Sequence, residues 1–153
     1  MIVDNNGGVS APSAAQLQAA APAFFMYGGT SYAVASRSTD YALVGNPSAV
    51  PGTVAAKPGD ILVLWGTGFG ATNPPVAAGT SVSGAPAVVT PPAVTVGGVA
   101  AQVISTVLST GSVGLYQVAI QLPATAPAGA VALQASVGGV QTQAGVLLFV
   151  SNP

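Results

Sequence analysis

Five side chains in this sequence carry a charge, and any acid, base or ion-pair chemistry has to come from them. Three are carboxylates, Asp4, Asp40 and Asp60, and two are basic, Arg37 and Lys57. Charged residues make up 3% of the 153 positions, against about 25% in ordinary soluble domains. Asp40, Asp60 and Lys57 are the candidates for acid or base roles, because a carboxylate or an amine becomes a useful base where its surroundings shift its pKa. A small hydrolase without histidine would pair one of them with a serine or threonine hydroxyl. The sequence signals for such a pair are missing. No Gly-x-Ser-x-Gly elbow occurs, and three scattered carboxylates do not establish the paired geometry of a glycosidase. The plainer reading is structural. Asp60 follows Pro58-Gly59 and suits a turn whose N–H groups it accepts, Lys57 belongs to the same loop, and Arg37 and Asp40 are spaced for an exposed ion pair of small energy.

The inventory excludes more than it offers. Histidine, cysteine and glutamate are all absent, so no Cys/His zinc site, disulfide framework or Ser-His-Asp triad can be built. Calcium needs clustered oxygen ligands, for which three carboxylates are too few. No metal and no cofactor is therefore expected. Nucleic acid is a poor partner, since neutralising several phosphates takes several basic side chains and the chain has two. Stacking on sugar rings would need exposed aromatics on one face, and Trp65, Phe69, Tyr27, Tyr32 and Tyr41 are the rings available.

These residues must be positioned by an all-β framework. Twenty glycines and thirteen prolines punctuate the chain throughout, which leaves no room for a long helix. Half the residues are hydrophobic, but the most apolar runs, Ile61 to Trp65 and Val146 to Val150, are far shorter than the roughly 20 residues a membrane-spanning helix requires. Leu115 to Leu122 alternates, with Tyr116, Val118, Ile120 and Leu122 on one face and Gln117, Ala119 and Gln121 on the other, which predicts a half-buried antiparallel strand. Val131 to Val137 alternates too and leads through Gly138-Gly139 into a partner running toward Val150. Ala93 to Val96, Gly97-Gly98 and Val99 to Ile104 repeat that design, and both glycine pairs predict hairpin turns with positive φ. Asp60 to Trp65 reads as a strand covered on both faces, with Trp65 in the core. After it, Gly66, Gly68 and Gly70 mark a sharp turn or a close backbone approach. Phe24 to Tyr27, Ser31 to Ser36 and Tyr41 to Val44 are short strands, and Asn73 to Pro92, with five prolines, is a loop or weak edge strand. Ala14 to Ala21, between Pro12 and Pro22, suits a short helix and a strand equally. Eight to ten short strands predict an antiparallel β-sandwich with Gly-Gly hairpins.

Gly-Gly-Val occurs three times, at 7–9, 97–99 and 138–140. The first copy opens a segment patterned like the last, so residues 1–20 read as an N-terminal extension and 21–153 as the sandwich domain. Either two hairpins in a Gly- and Val-rich chain look alike by chance, or the extension is the closing hairpin of a preceding sandwich. In the second case residues 2–20 would pair with a sheet edge of their own domain or exchange between chains.

Four segments stand in order: Pro22-Ala23-Phe24-Phe25, Lys57 through Gly70 (KPGDILVLWGTGFG), Val94 through Val103 (VTVGGVAAQV) and Gly114-Leu115-Tyr116-Gln117-Val118. From about residue 20 to its end the chain resembles the Solibacter-type C-terminal domain family, an immunoglobulin-like module of exported acidobacterial proteins related to the IPT/TIG sandwiches. Trp65 departs from the tyrosine the resemblance leads one to expect. It implies an immunoglobulin-like β-sandwich, secreted or at the cell surface, and no set of catalytic residues. Met1 is not followed by a basic segment and an apolar run, so the expectation is a fragment of a longer exported protein. The leading expectation is a non-catalytic structural or adhesive module prone to self-association, because a surface of Gln, Ser, Thr and Ala lacks the charge that keeps copies apart. A carbohydrate-binding module that meets polysaccharide and a histidine-free hydrolase are the alternatives.

Overall fold

The computed structural model describes residues 4, 5, 7–12, 14 and 18–151. Two antiparallel layers enclose one hydrophobic core. At the centre of layer one is β11 (Tyr116–Gln121), paired with β6 (Ile61–Thr67) on one side and with the second half of β10 (Val99–Leu108) on the other. Beyond β6 come β3 (Ala23–Phe24) and β4 (Ala35–Arg37), then β5 (Leu43–Val44). The centre of layer two is β12 (Gly129–Val137), flanked by β9 (Ala93–Val96) and by β13 (Val140–Gln141) and β14 (Leu147–Val150). Asn73 to Pro92 supplies only β7 (Thr72–Asn73) and β8 (Ala87–Val88), a small pair attached to the end of β10 through Val107 and Ala87.

The layers are continuous along one side because β10 serves both. Val99 to Ala101 pair with β9, Gln102 onward pairs with β11, and a register shift between Val103 and Ser105 bends the strand from one to the other. On the opposite side, single parallel bridges join Tyr32 to Leu147, Ala56 to Val150 and Val44 to Val54. The sheet thus curls over on itself into a β-sandwich with little free edge.

Alternation builds the core. Tyr116, Val118 and Ile120 of β11 and Leu62 and Leu64 of β6 are buried in one cluster with Val94, Val96, Leu133, Ala135, Val137, Leu148 and Val150 from layer two. Each fully buried Leu or Ile contributes about 2 kcal/mol by removal from water. Both predicted Gly-Gly hairpins form. Gly97 and Gly98 have φ of 58° and 79°, Gly138 and Gly139 of 56° and 87°. Their surroundings differ: a Cβ on Gly97 would lie 2.4 Å from Pro127 Cγ, whereas one on Gly138 would meet nothing within 4 Å.

Three expectations need correcting. Strand β6 is covered on one face only: Leu62, Leu64 and Gly66 are buried, while Ile61, Val63, Trp65 and Thr67 point outward, since no third layer packs there. Trp65 is accordingly half-buried on the outer face and not a core residue. The segment 14–21 is neither helix nor strand at its described positions 14 and 18–21, residues 15–17 lying outside the described set. In its place Ala21 N–H donates to Gly68 O at 2.9 Å and Ala20 is buried, so backbone docking replaces helical bonds. The first Gly-Gly-Val also differs from the other two. In the separate two-stranded sheet of β1 (Asp4–Asn5) and β2 (Gly8–Val9), Gly8 pairs with Asn5 and belongs to the strand rather than the turn.

Candidate functional site

Strand β6 brings the charged residues to one corner of layer one. Its start carries Asp60, and the pairing of Arg37 with Leu62 sets the guanidinium beside that start. The β4–β5 turn returns Asp40 to the same place. Arg37 grips Asp40 with two parallel bonds, Nε to Oδ1 at 3.0 Å and Nη2 to Oδ2 at 2.7 Å. Its Nη1 lies 3.6 Å from Asp60 Oδ2. Asp40 Oδ1 also accepts the Ala42 N–H at 3.2 Å, and Asp60 Oδ2 accepts the Lys57 N–H at 2.8 Å. Both carboxylates therefore close turns, and one guanidinium ties the turns together.

Electrostatics point the same way. The hydrogen bonds from Arg37, then that from Ala42 N–H, hold the Asp40 carboxyl down to about 2, so it stays ionised at neutral pH and is a feeble base. The Arg37 guanidinium is raised further, chiefly by its bond to Asp40. Lys57 contributes its backbone to this corner, while its side chain is exposed and makes no ion pair among the described residues. Among the described residues no serine or threonine hydroxyl bonds to Asp40, Asp60 or Lys57, and no group of three His, Cys, Asp or Glu side chains is gathered. The pairing of Arg37 with Asp60, 23 positions apart, has no local sequence signal; the register of β4 against β6 creates it.

The aromatic candidates are dispersed. Phe69 is fully buried, its ring centroid 5.5 Å from Phe24 and 5.9 Å from Tyr116. Tyr32 meets Phe149 edge-on at 6.2 Å, and its hydroxyl accepts from Asn46 Nδ2 at 3.1 Å. Tyr27 donates its hydroxyl to Ala35 O at 3.3 Å, and burial raises its pKa and that of Tyr116. Tyr41 is exposed at the β4–β5 turn with φ of 59°. Only Trp65 lies on a broad sheet face, with Phe25 opposite it in the β3–β6 register, where Phe25 N–H donates to Trp65 O at 2.9 Å.

The other end of β6 is built without charge. A Cβ on Gly68, where φ is 74°, would stand 2.0 Å from Ala21 O, and one on Gly66 would stand 2.4 Å from Ala23 O. The glycines thus let residues 21–24 lie directly on the strand, the close approach expected at this triplet. Gln143 then grips Phe24: its Oε1 accepts the Phe24 N–H at 3.1 Å and its Nε2 donates to Phe24 O at 2.6 Å. One side-chain amide replaces a neighbouring strand, and nothing in the local sequence around Gln143 announces it. Tyr116 reaches this end as well, donating its hydroxyl to Gly70 O. Beside it lies an apolar pocket of about 220 Å³ between Ala20, Phe69, Val89 and Val137.

Comparison of the chain with protein-family models, curated proteins and solved structures gave no match in any of the three.

Proposed function

We propose that this chain is a non-catalytic structural or adhesive β-sandwich module of a larger exported protein, and that it acts through self-association. The closure of the charged corner carries this reading. Arg37, Asp40 and Asp60 are engaged with one another and with turn amides, so both carboxylates serve to hold turns, and the Lys57 amine stands exposed outside any cleft with them. The immunoglobulin-like reading is supported by topology. One layer runs β14, β12, β9, β10 and the other β10, β11, β6, β4, and the chain changes layer after β8 and again after β11, as the sandwich connections of that fold do. Export rests on the resemblance of the four ordered segments to the Solibacter-type domain.

The test is the solution mass of the whole chain over a rising concentration series, run beside retention on insoluble polysaccharide. Mass that grows with concentration, without retention, is the expected result. A strict monomer retained on polysaccharide would overturn the reading in favour of a carbohydrate-binding module.

A further inference from the structure

Every residue on the outer face of β6 has a register partner, which allows the surface of layer one to be mapped row by row. Leu43, Ser36, Val63 and Ala119 form one row across β5, β4, β6 and β11. Trp65 stands opposite Gln117, and Ile61 opposite Gln121. Leu43 and Ile61 are exposed, and Val63 and Trp65 are half-buried with no protein layer above them. The outer face of layer two is different in kind: Ala93, Thr95, Gln134 and Ser136 line its β9–β12 part with small or polar side chains, and its larger apolar residues, Leu147 and Phe149 opposite Ala132 and Ala130, are half-buried beside Tyr32.

We propose that the outer face of layer one docks a second copy of this chain, face to face about a two-fold axis. The proposal rests on the self-association reading above and assigns it to one surface. Three observations select a second copy as the occupant. The face has no charged side chain within its rows, and the nearest, Arg37, is already matched by Asp40 and Asp60 at the margin. A formal net charge of -1 puts almost no repulsion between two copies, while a strongly charged partner would find nothing to complement it. Gln117, whose Nε2 donates to Ser109 Oγ at 3.1 Å, and Gln121 carry amides, which both donate and accept and so match their own copies across a two-fold axis. Finally, the area suffices for a weak dimer. Two residues of β5, three of β4, seven of β6, six of β11 and the seven from Gln102 to Leu108 of β10, at about 4.8 Å strand spacing and about 3.3 Å rise, give about 400 Å² per copy. Two copies thus bury about 800 Å² before side-chain relief is counted, in the range of weak, transient contacts, so dissociation weaker than micromolar is expected.

Sedimentation velocity of the full chain up to about 1 mM, with Val63→Glu, Leu43→Glu and Ala132→Glu in parallel, tests this. Thermal unfolding of each variant verifies that it is folded, and Leu43→Glu, at an exposed edge position, covers the case in which Val63→Glu fails to fold. The proposal expects a concentration-dependent dimer that both layer-one variants weaken at least about tenfold through like charges at the interface, and that Ala132→Glu leaves unchanged. Trp65, the single tryptophan, should shift its emission to the blue as the dimer forms. Assembly unaffected by Val63→Glu and Leu43→Glu would overturn the surface assigned while leaving self-association in place. A monomer at every concentration would overturn both. Quenching of Trp65 by a soluble oligosaccharide while the chain stays monomeric would assign the face to sugar instead.

Discussion

The two ends of β6 are fastened by different physics. At its start, Arg37 holds Asp40 and Asp60 in a partly exposed ion-pair corner, where water and salt screen the attraction. At its far end, Gly66 and Gly68 admit the backbone of residues 21–24 at distances no side chain would tolerate, and Gln143 completes the peptide pairing of Phe24. The first end can lose its charges together and still leave every turn amide near an oxygen. The second has no alternative arrangement. Backbone fit, burial and a single amide, rather than charge, therefore determine this sandwich, and the few ions are secondary fasteners.

The largest effect should come from Gly68→Ala. The new methyl group both strains a positive φ and collides with Ala21 O, so a loss of at least about 3 kcal/mol is expected. Circular dichroism on heating will show it as failure to fold or a deep fall in melting temperature. Next is Gln143→Leu, which keeps the volume but leaves the N–H and C=O of Phe24 without partners; about 1 to 3 kcal/mol should be lost in urea unfolding. Thr106→Val should act in the opposite direction. Thr106 is buried with its hydroxyl unpaired, and an apolar group of the same shape should stabilise the fold by about 1 kcal/mol on the same urea scale. Smaller still is the response to pH. Asp40 titrates at about 2 against an ordinary 3.8, so its contribution is complete above about pH 4 and fades as pH falls toward 2. Tyr27 and Tyr116 are raised above 10 by burial, so theirs is complete below pH 10 and is lost as pH climbs beyond it. The melting temperature measured across pH should accordingly run flat from about 5 to 9, with shallow limbs on either side.

Local chemistry made part of this legible in the sequence. The strict alternation of Tyr116 to Leu122 announced its buried face, and paired glycines announced both positive-φ hairpins, because period and turn type are properties of neighbouring residues. The glycine triplet after Trp65 announced a close approach without naming the backbone that approaches. Sequence alone could not tell that β6 is covered on one side only, since an unbroken apolar run is the same whether a third layer exists or not. Gly97 and Gly138 read alike, yet only the first has Pro127 against it. Arg37 meeting Asp60, and Gln143 meeting Phe24, are consequences of register and layer crossing, which depend on the whole topology.

The most direct test of charge as a secondary fastener is the urea unfolding midpoint of the triple variant Arg37→Met, Asp40→Asn, Asp60→Asn. It removes all three ions at once, leaves none unpaired and keeps an oxygen facing the N–H groups of Ala42 and Lys57. A folded chain with a midpoint closer to wild type than that of Gln143→Leu is expected. A triple variant that fails to fold, or that falls below Gln143→Leu, would contradict the secondary role of charge.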